Sequence, residues 1–264
     1  MGKSPVGRGA SKALGIWSLG WVMVADPQKA GQAARDERNL APGLWLYAAF
    51  LLASTVFFAA KPYNFPDSTA APPQEIQDFL FWFRVNLWHP PLDASWIVLL
   101  LGLLRWFKDG RLGPRMLAAA AWAAVPGLLI LLYSNLKFFP WFGLALGTAA
   151  WLYPLRPLLR GITREEWFPM ALFMVALNAL GLVILLPMTV CLAGRWREAF
   201  MAAQIAGGLW MLRNGALGIR ELSGLRLSRA FLAVLFSLFH LVGLSFLLHF
   251  LGLPSSILKA VFYG

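Results

Sequence analysis

The feature that most limits how this chain can fold is the recurrence of apolar runs close to the thickness of a bilayer core. About 20 apolar residues in α-helix cross the hydrocarbon layer. Runs of that order recur from residue 42 to residue 253, separated by short polar or basic connections. The composition agrees: 59% of the residues are hydrophobic and only 13% are charged. A soluble domain carries about a quarter charged residues to cover its surface. The expected fold is therefore all-α, a polytopic transmembrane helix bundle.

Seven spans can be drawn: 42–60, 93–107, 116–133, 138–155, 167–193, 199–219 and 231–253. Residues 1–41 then form an N-terminal segment on the cytoplasmic side, 42–253 the bundle, and 254–264 a short C-terminal tail. The fourth span is short and holds Gly143 and Gly147 at the spacing that lets two helices approach closely. Folding spans four and five as a re-entrant pair leaves five spans with the same end topology. The third span carries Pro126 and the fifth Pro187, which neighbouring helices must accommodate.

Charge orients these spans. The stretch 208–231, GLWMLRNGALGIRELSGLRLSRAF, places Arg213, Arg220, Arg226 and Arg229 against a single Glu221 between two apolar runs. With seven spans it falls on the same side as Lys3, Arg8, Lys12, Lys29, Arg35 and Arg38. Arg105, Lys108, Arg111, Arg115, Arg156, Arg160 and Arg164 share that side. That gathers 17 of the 23 basic residues on one side. Lysine and arginine concentrate on cytoplasmic connections, so the N-terminus is expected to be cytoplasmic and the C-terminus outside. The net charge of +11 is accounted for in this way and by attraction to anionic headgroups, not by nucleic acid.

The flanking segments follow other rules. Residues 13–25 are too short to span and suit a helix lying on the membrane, anchored by Trp17 and Trp21. Cleavage after Ala25 would put Met23 where a signal peptide needs a small residue, so the segment is expected to be retained. Asp26 before Pro27 reads as a helix N-cap. The polar helix that follows is expected to be solvated. Over 74–88, Ile76, Phe79, Leu80, Phe83 and Leu87 share one face, and Pro90 and Pro91 follow. An interfacial helix ended by the prolines is the expectation.

Chemistry is sparse. His240 and His249 lie nine residues apart, on opposite faces of one helix, and cannot chelate one metal together. His89 is assigned to a loop. Asp93, Glu165 and Glu166 sit at helix starts, where they complement the dipole. The single Cys191 excludes an intramolecular disulfide. None of the phosphate-loop, dinucleotide, zincin or nucleophile-elbow patterns is present. No metal, no cofactor and no enzymatic reaction are expected. In the fifth span, Asn178 and Pro187 are the polar and kinking features, read as interhelical glue and a bend.

Three segments taken in order carry a resemblance. They are VMVADPQKAGQAARDERNLAPGLWLY, LLRWFKDGRLGPRMLAAAAWAAVPGLLILL, and Trp210 with LGIRELSGLRLSRAF leading into the last span. Together they resemble the Ypt-interacting protein (Yip) domain family, in particular its bacterial and archaeal members. The matching positions are Trp210, Gly218, Arg220, Gly224, Arg229 and Ala230. The family usually has five spans; here residues 134–198 add two more. The Asp-Leu-Tyr-Gly-Pro signature of eukaryotic members is absent. The resemblance implies a non-enzymatic multi-pass protein of a bacterial cytoplasmic membrane. It would act as a scaffold through its cytoplasmic face, with anionic lipid or a protein as partner. The contact residues expected are Arg111, Arg115, Arg220, Arg226 and Arg229. The alternative is a small-molecule transporter or permease subunit with its substrate site at Asn178. A membrane enzyme would rest on the two histidines of the last span alone.

Overall fold

A computed structural model describes residues 14–67, 76–136 and 140–263. Among these, every regular element is a helix. Lys3, Arg8, Lys12 and Lys137 lie outside the described residues, as does most of the proline-rich loop after residue 67.

Five stretches are long and apolar enough to cross a membrane. The first is α3 (Leu40–Ala60) with the 3-10 turn before it. The second joins α4 (Phe79–Asn86) and α5 (His89–Lys108) into 30 residues. The third is α6 (Leu112–Asn135), the fourth joins α9 (Arg164–Leu177) to α10 (Ala179–Ala193), and the fifth is α12 (Leu227–Phe250). These five are compatible with an integral membrane protein. Helices α7 (Trp141–Leu152) and α11 (Arg197–Ser223) are not among the five. Helix α7 has 12 residues, a rise of about 18 Å. It is followed after a turn by α8 (Leu155–Leu159). Helix α11 has 27 residues, a rise of about 40 Å, but is too polar to be counted with the five.

The ends of the helices meet in two groups. At one end, Arg229 at the start of α12 reaches the last carbonyls of α5, and Arg105 of α5 reaches the link between α8 and α9. There too Arg164 of α9 pairs with Glu37 before α3 at 2.9 Å. This is the basic end. At the far end, Phe200 of α11 stacks on Phe57 of α3, and Trp141 of α7 donates to the Leu251 carbonyl after α12.

The N-terminal segment belongs to this core. Helix α1 (Ile16–Ala25) buries Leu19 and Met23 and turns Trp17 and Trp21 outward. Asp26 caps α2 (Pro27–Ala33) by accepting the Lys29 amide at 3.1 Å, which holds its carboxyl below the usual carboxylate range. Helix α2 differs from the solvated helix expected from its composition. It lies on α11, with Ala30 fully buried and Gly31 against the backbone of Gly218. Small residues, rather than apolar bulk, make that face, so hydropathy alone misreads it. Asn39 then fastens the segment: its amide donates to the Ala33 carbonyl and its carbonyl accepts the Leu14 amide.

Elsewhere the boundaries shift. Pro90 and Pro91 do not end a helix; they occupy the first turn of α5, where proline costs no hydrogen bond. Helix α4 does turn Phe79, Leu80 and Phe83 outward, while Trp82, Val85 and Asn86 pack against α3. The C-terminal tail is also helical: α13 (Ser256–Tyr263) buries Ile257 and Ala260 against the far end.

Candidate functional site

The basic end is built from two kinds of arginine. The first kind closes helix C-termini, whose last carbonyls lack intrahelical partners. Arg229 donates to the carbonyls of Phe107, Lys108 and Gly110 at 2.6, 2.5 and 2.9 Å. Arg105 donates to those of Leu158, Arg160 and Gly161 at 3.1, 2.5 and 3.1 Å and to Glu166 at 2.7 Å. Arg35 donates to the Glu221 carbonyl at 3.1 Å, at the end of α11. Arg115 donates to the Trp106 carbonyl and lies 5.4 Å from that ring, whose indole returns a bond to the Arg115 carbonyl. A guanidinium suits this role because several donors in one plane reach adjacent carbonyls, and its charge opposes the negative end of the helix dipole.

The second kind has no such employment. Arg111, Arg220 and Arg226 make no ion pair and no side-chain hydrogen bond to the described residues. Arg111 and Arg226 are exposed, and Arg220 is half-buried. Of the five arginines expected to contact a partner, the structure thus engages Arg115 and Arg229 internally and leaves Arg111, Arg220 and Arg226 available. Gly224, between the last two, ends α11 with φ of 68°, a left-handed conformation that glycine adopts without strain.

Asn178 lies where α9 gives way to α10. Its amide donates to the carbonyls of Met174 and Val175 at 3.3 and 3.2 Å, within its own helix. It is half-buried and marks a break in a membrane-length stretch.

Sequence reasoning missed a group of polar side chains between α3 and the α4–α5 stretch. Asn86 donates to the Thr55 hydroxyl at 2.7 Å and to the Leu51 carbonyl at 3.1 Å. His89 is buried inside the first turn of α5, not in a loop, edge-on to Phe50, and its Nε2 has no partner. Tyr47 donates its hydroxyl to Asp93 at 2.5 Å. Asp93 was expected to begin a span; it lies fourteen residues into the 30-residue stretch that starts at Phe79. The available signal was spacing: 86, 89 and 93 fall on one helical face, as do 47, 51 and 55.

His240 is fully buried between two indoles, stacked on Trp151 and edge-on to Trp122. Those two tryptophans bond each other's carbonyls at 2.8 and 2.9 Å and lock α6 to α7. His249 bonds the Leu253 carbonyl at 3.1 Å through its Nδ1. Among the described residues, no three His, Cys, Asp or Glu side chains gather as a metal site would need. Compared with family models, curated proteins and solved structures, the chain matches none.

Proposed function

We propose that this is a non-enzymatic multi-pass scaffold of Yip-like type in a bacterial cytoplasmic membrane. Its basic end holds anionic lipid headgroups or an acidic protein partner. The observation that carries the reading is the division of labour among the arginines. Arg35, Arg105, Arg115 and Arg229 already satisfy helix ends, whereas Arg111, Arg220 and Arg226 present unpaired charge at the same end. A juxtamembrane cation near an anionic leaflet contributes about 1 kcal/mol.

The same reading places the N-terminus in the cytoplasm and counts seven crossings. Two of them are α11 and the broken pair α7–α8, beyond the five long apolar stretches. Supporting this, α7 begins beside Leu251 at the far end, and the link after α8 is held by Arg105 at the basic end. Likewise α11 begins beside Phe57 and ends beside Arg35. The positive-inside tendency then sets the basic end in the cytoplasm.

The test is a triple variant, Arg111→Gln, Arg220→Gln and Arg226→Gln, purified in mild detergent from the native membrane. Anionic lipids and co-purifying proteins are identified by mass spectrometry. The expected result is loss of enriched anionic lipid or partner at unchanged melting temperature. Retention of both by the triple variant overturns the reading.

A second reading, transport, draws on the interruption between α9 and α10 at Asn178, since broken membrane helices often frame substrate sites. It requires a ligand that stabilises the protein in detergent, an effect abolished by Asn178→Leu.

A further inference from the structure

We propose that Asp93, together with Tyr47 and His89, forms a membrane-embedded proton-binding site between α3 and α5. This inference is independent of the basic-end reading. The residues sit where α5 leaves α3. Tyr47 lies on α3, while His89 and Asp93 lie four residues apart on one face of α5. Asp93 is about 22 Å along the helix from Lys108 at the basic end, so its carboxyl group falls inside the apolar stretch. An ionisable group at that depth is expensive and is retained for ion or proton handling or for a specific pairing.

The pairing around Asp93 is incomplete for an anion. Its one hydrogen bond among the described residues is the 2.5 Å contact from the Tyr47 hydroxyl, and no cation reaches it. The charged groups of α6, α9 and α12 that reach α5 do so at its basic end, as Arg115, Glu166 and Arg229, and Arg156 of α8 is exposed. Arg84 of α4 is exposed, Lys259 of α13 lies over the Phe81 ring, and His240 of α12 is enclosed by tryptophans. The second unmet group is His89: it is 7% exposed, and its Nε2 has neither a donor nor an acceptor facing it. A carboxylate without a counter-ion and an imidazole nitrogen without a partner, one helical turn apart, form a local site with capacity for one added proton. Uptake converts the Asp93 carboxylate to the neutral acid, whose carbonyl oxygen still accepts from Tyr47. Release returns the proton to water and restores the anion.

Infrared difference spectra of the full chain in nanodiscs, recorded across a pH series, test this. The expected result is a carbonyl stretch of a protonated carboxyl group that grows as pH falls. It disappears in Asp93→Asn, which keeps an acceptor for Tyr47, and moves to higher frequency in Tyr47→Phe. Should Asp93→Asn not fold, the frequency shift in Tyr47→Phe decides the matter. Wild-type and Asp93→Asn spectra that titrate without a difference in the carboxyl band, or a difference component unmoved in Tyr47→Phe, overturn the proposal. So does a band whose midpoint changes when choline chloride is replaced by sodium chloride, because the site would then hold a metal cation.

Discussion

At the residue scale, identical side chains on one surface do different work. Arg226 and Arg229 are three positions apart, yet only Arg229 turns back onto the end of α5, where three carbonyls accept from it. Hydrogen bonds from a charged donor contribute about 1.5–3 kcal/mol each at most, and the carbonyls at an open helix end regain part of that from water. Arg229→Gln is therefore expected to destabilise the protein by about 1–3 kcal/mol. Arg226→Gln should stay within about 0.5 kcal/mol, as surface substitutions usually do. Thermal unfolding in detergent, followed by tryptophan fluorescence, separates them. Equal melting temperatures would mean that the carbonyl bonds contribute nothing to stability. Their difference was not legible in the sequence. Local spacing marks both as basic-turn residues, and only the return of α12 towards α5 assigns one of them a partner.

At the element scale, small residues set which helices touch. Gly218 of α11 sits with its Cα against the Phe173 ring, where an added Cβ would meet ring carbons at 2.1 and 2.3 Å. On the neighbouring side Gly31 brings α2 onto the Gly218 carbonyl, where a Cβ would stand at 2.9 Å. Helix α11 is thus held between α9 and α2 with no room for a methyl group on either contact. Gly218→Ala is expected to cost about 1–3 kcal/mol through overpacking. Because α2 rests on the same turn, its amides should also exchange faster with deuterium. Unchanged exchange over residues 27–33 would show that α2 docks independently of Gly218. The sequence spaces Ala203 and Gly207 of α11 four residues apart, a small-residue pair of the kind that lets helices approach closely. In the structure Gly207 admits Ile184 of α10 at a distance that a Cβ would close to 2.7 Å. It pointed away from α2, since a helix of alanine, glycine and glutamine has no apolar stripe to announce a contact. Helix α6 is the converse case. It is plainly apolar, yet only 11% of its most apolar window is buried inside the protein, against 44–50% for the other four long stretches. Hydropathy reports that a helix avoids water, not whether protein or lipid replaces it.

At the scale of the whole molecule, the number of crossings turns on α7 and α8. Helix α7 alone is too short, but with α8 it connects the far end to the basic end. In a Cys191→Ser background, Asn135→Cys and Arg160→Cys are expected to react with a membrane-impermeant thiol reagent from opposite sides. Reaction from the same side would remove that crossing and make α7–α8 re-entrant. The number matters physically, because a crossing made of two short helices leaves carbonyls around Tyr153 and Pro154 that must find partners away from water.

Taken alone, the sequence determined the solvent, the helical class and the boundaries of most long helices. Those properties follow from local composition: about 20 apolar residues in a row have no other low-energy arrangement in a bilayer. It also determined that the basic residues cluster on particular connections, which is a matter of counting along the chain. Only the tertiary structure decided that α2 is buried, that Arg105, Arg115 and Arg229 close helix ends, and that Asp93 meets Tyr47, and His89 meets Phe50, within an apolar stretch. Each of these depends on a partner brought close by the packing of other helices. Tyr47 and Asp93 are 46 residues apart in the chain, and Arg229 is 122 residues from Phe107. A hydrogen bond acts over about 3 Å, so no pattern read along the chain could specify its other end.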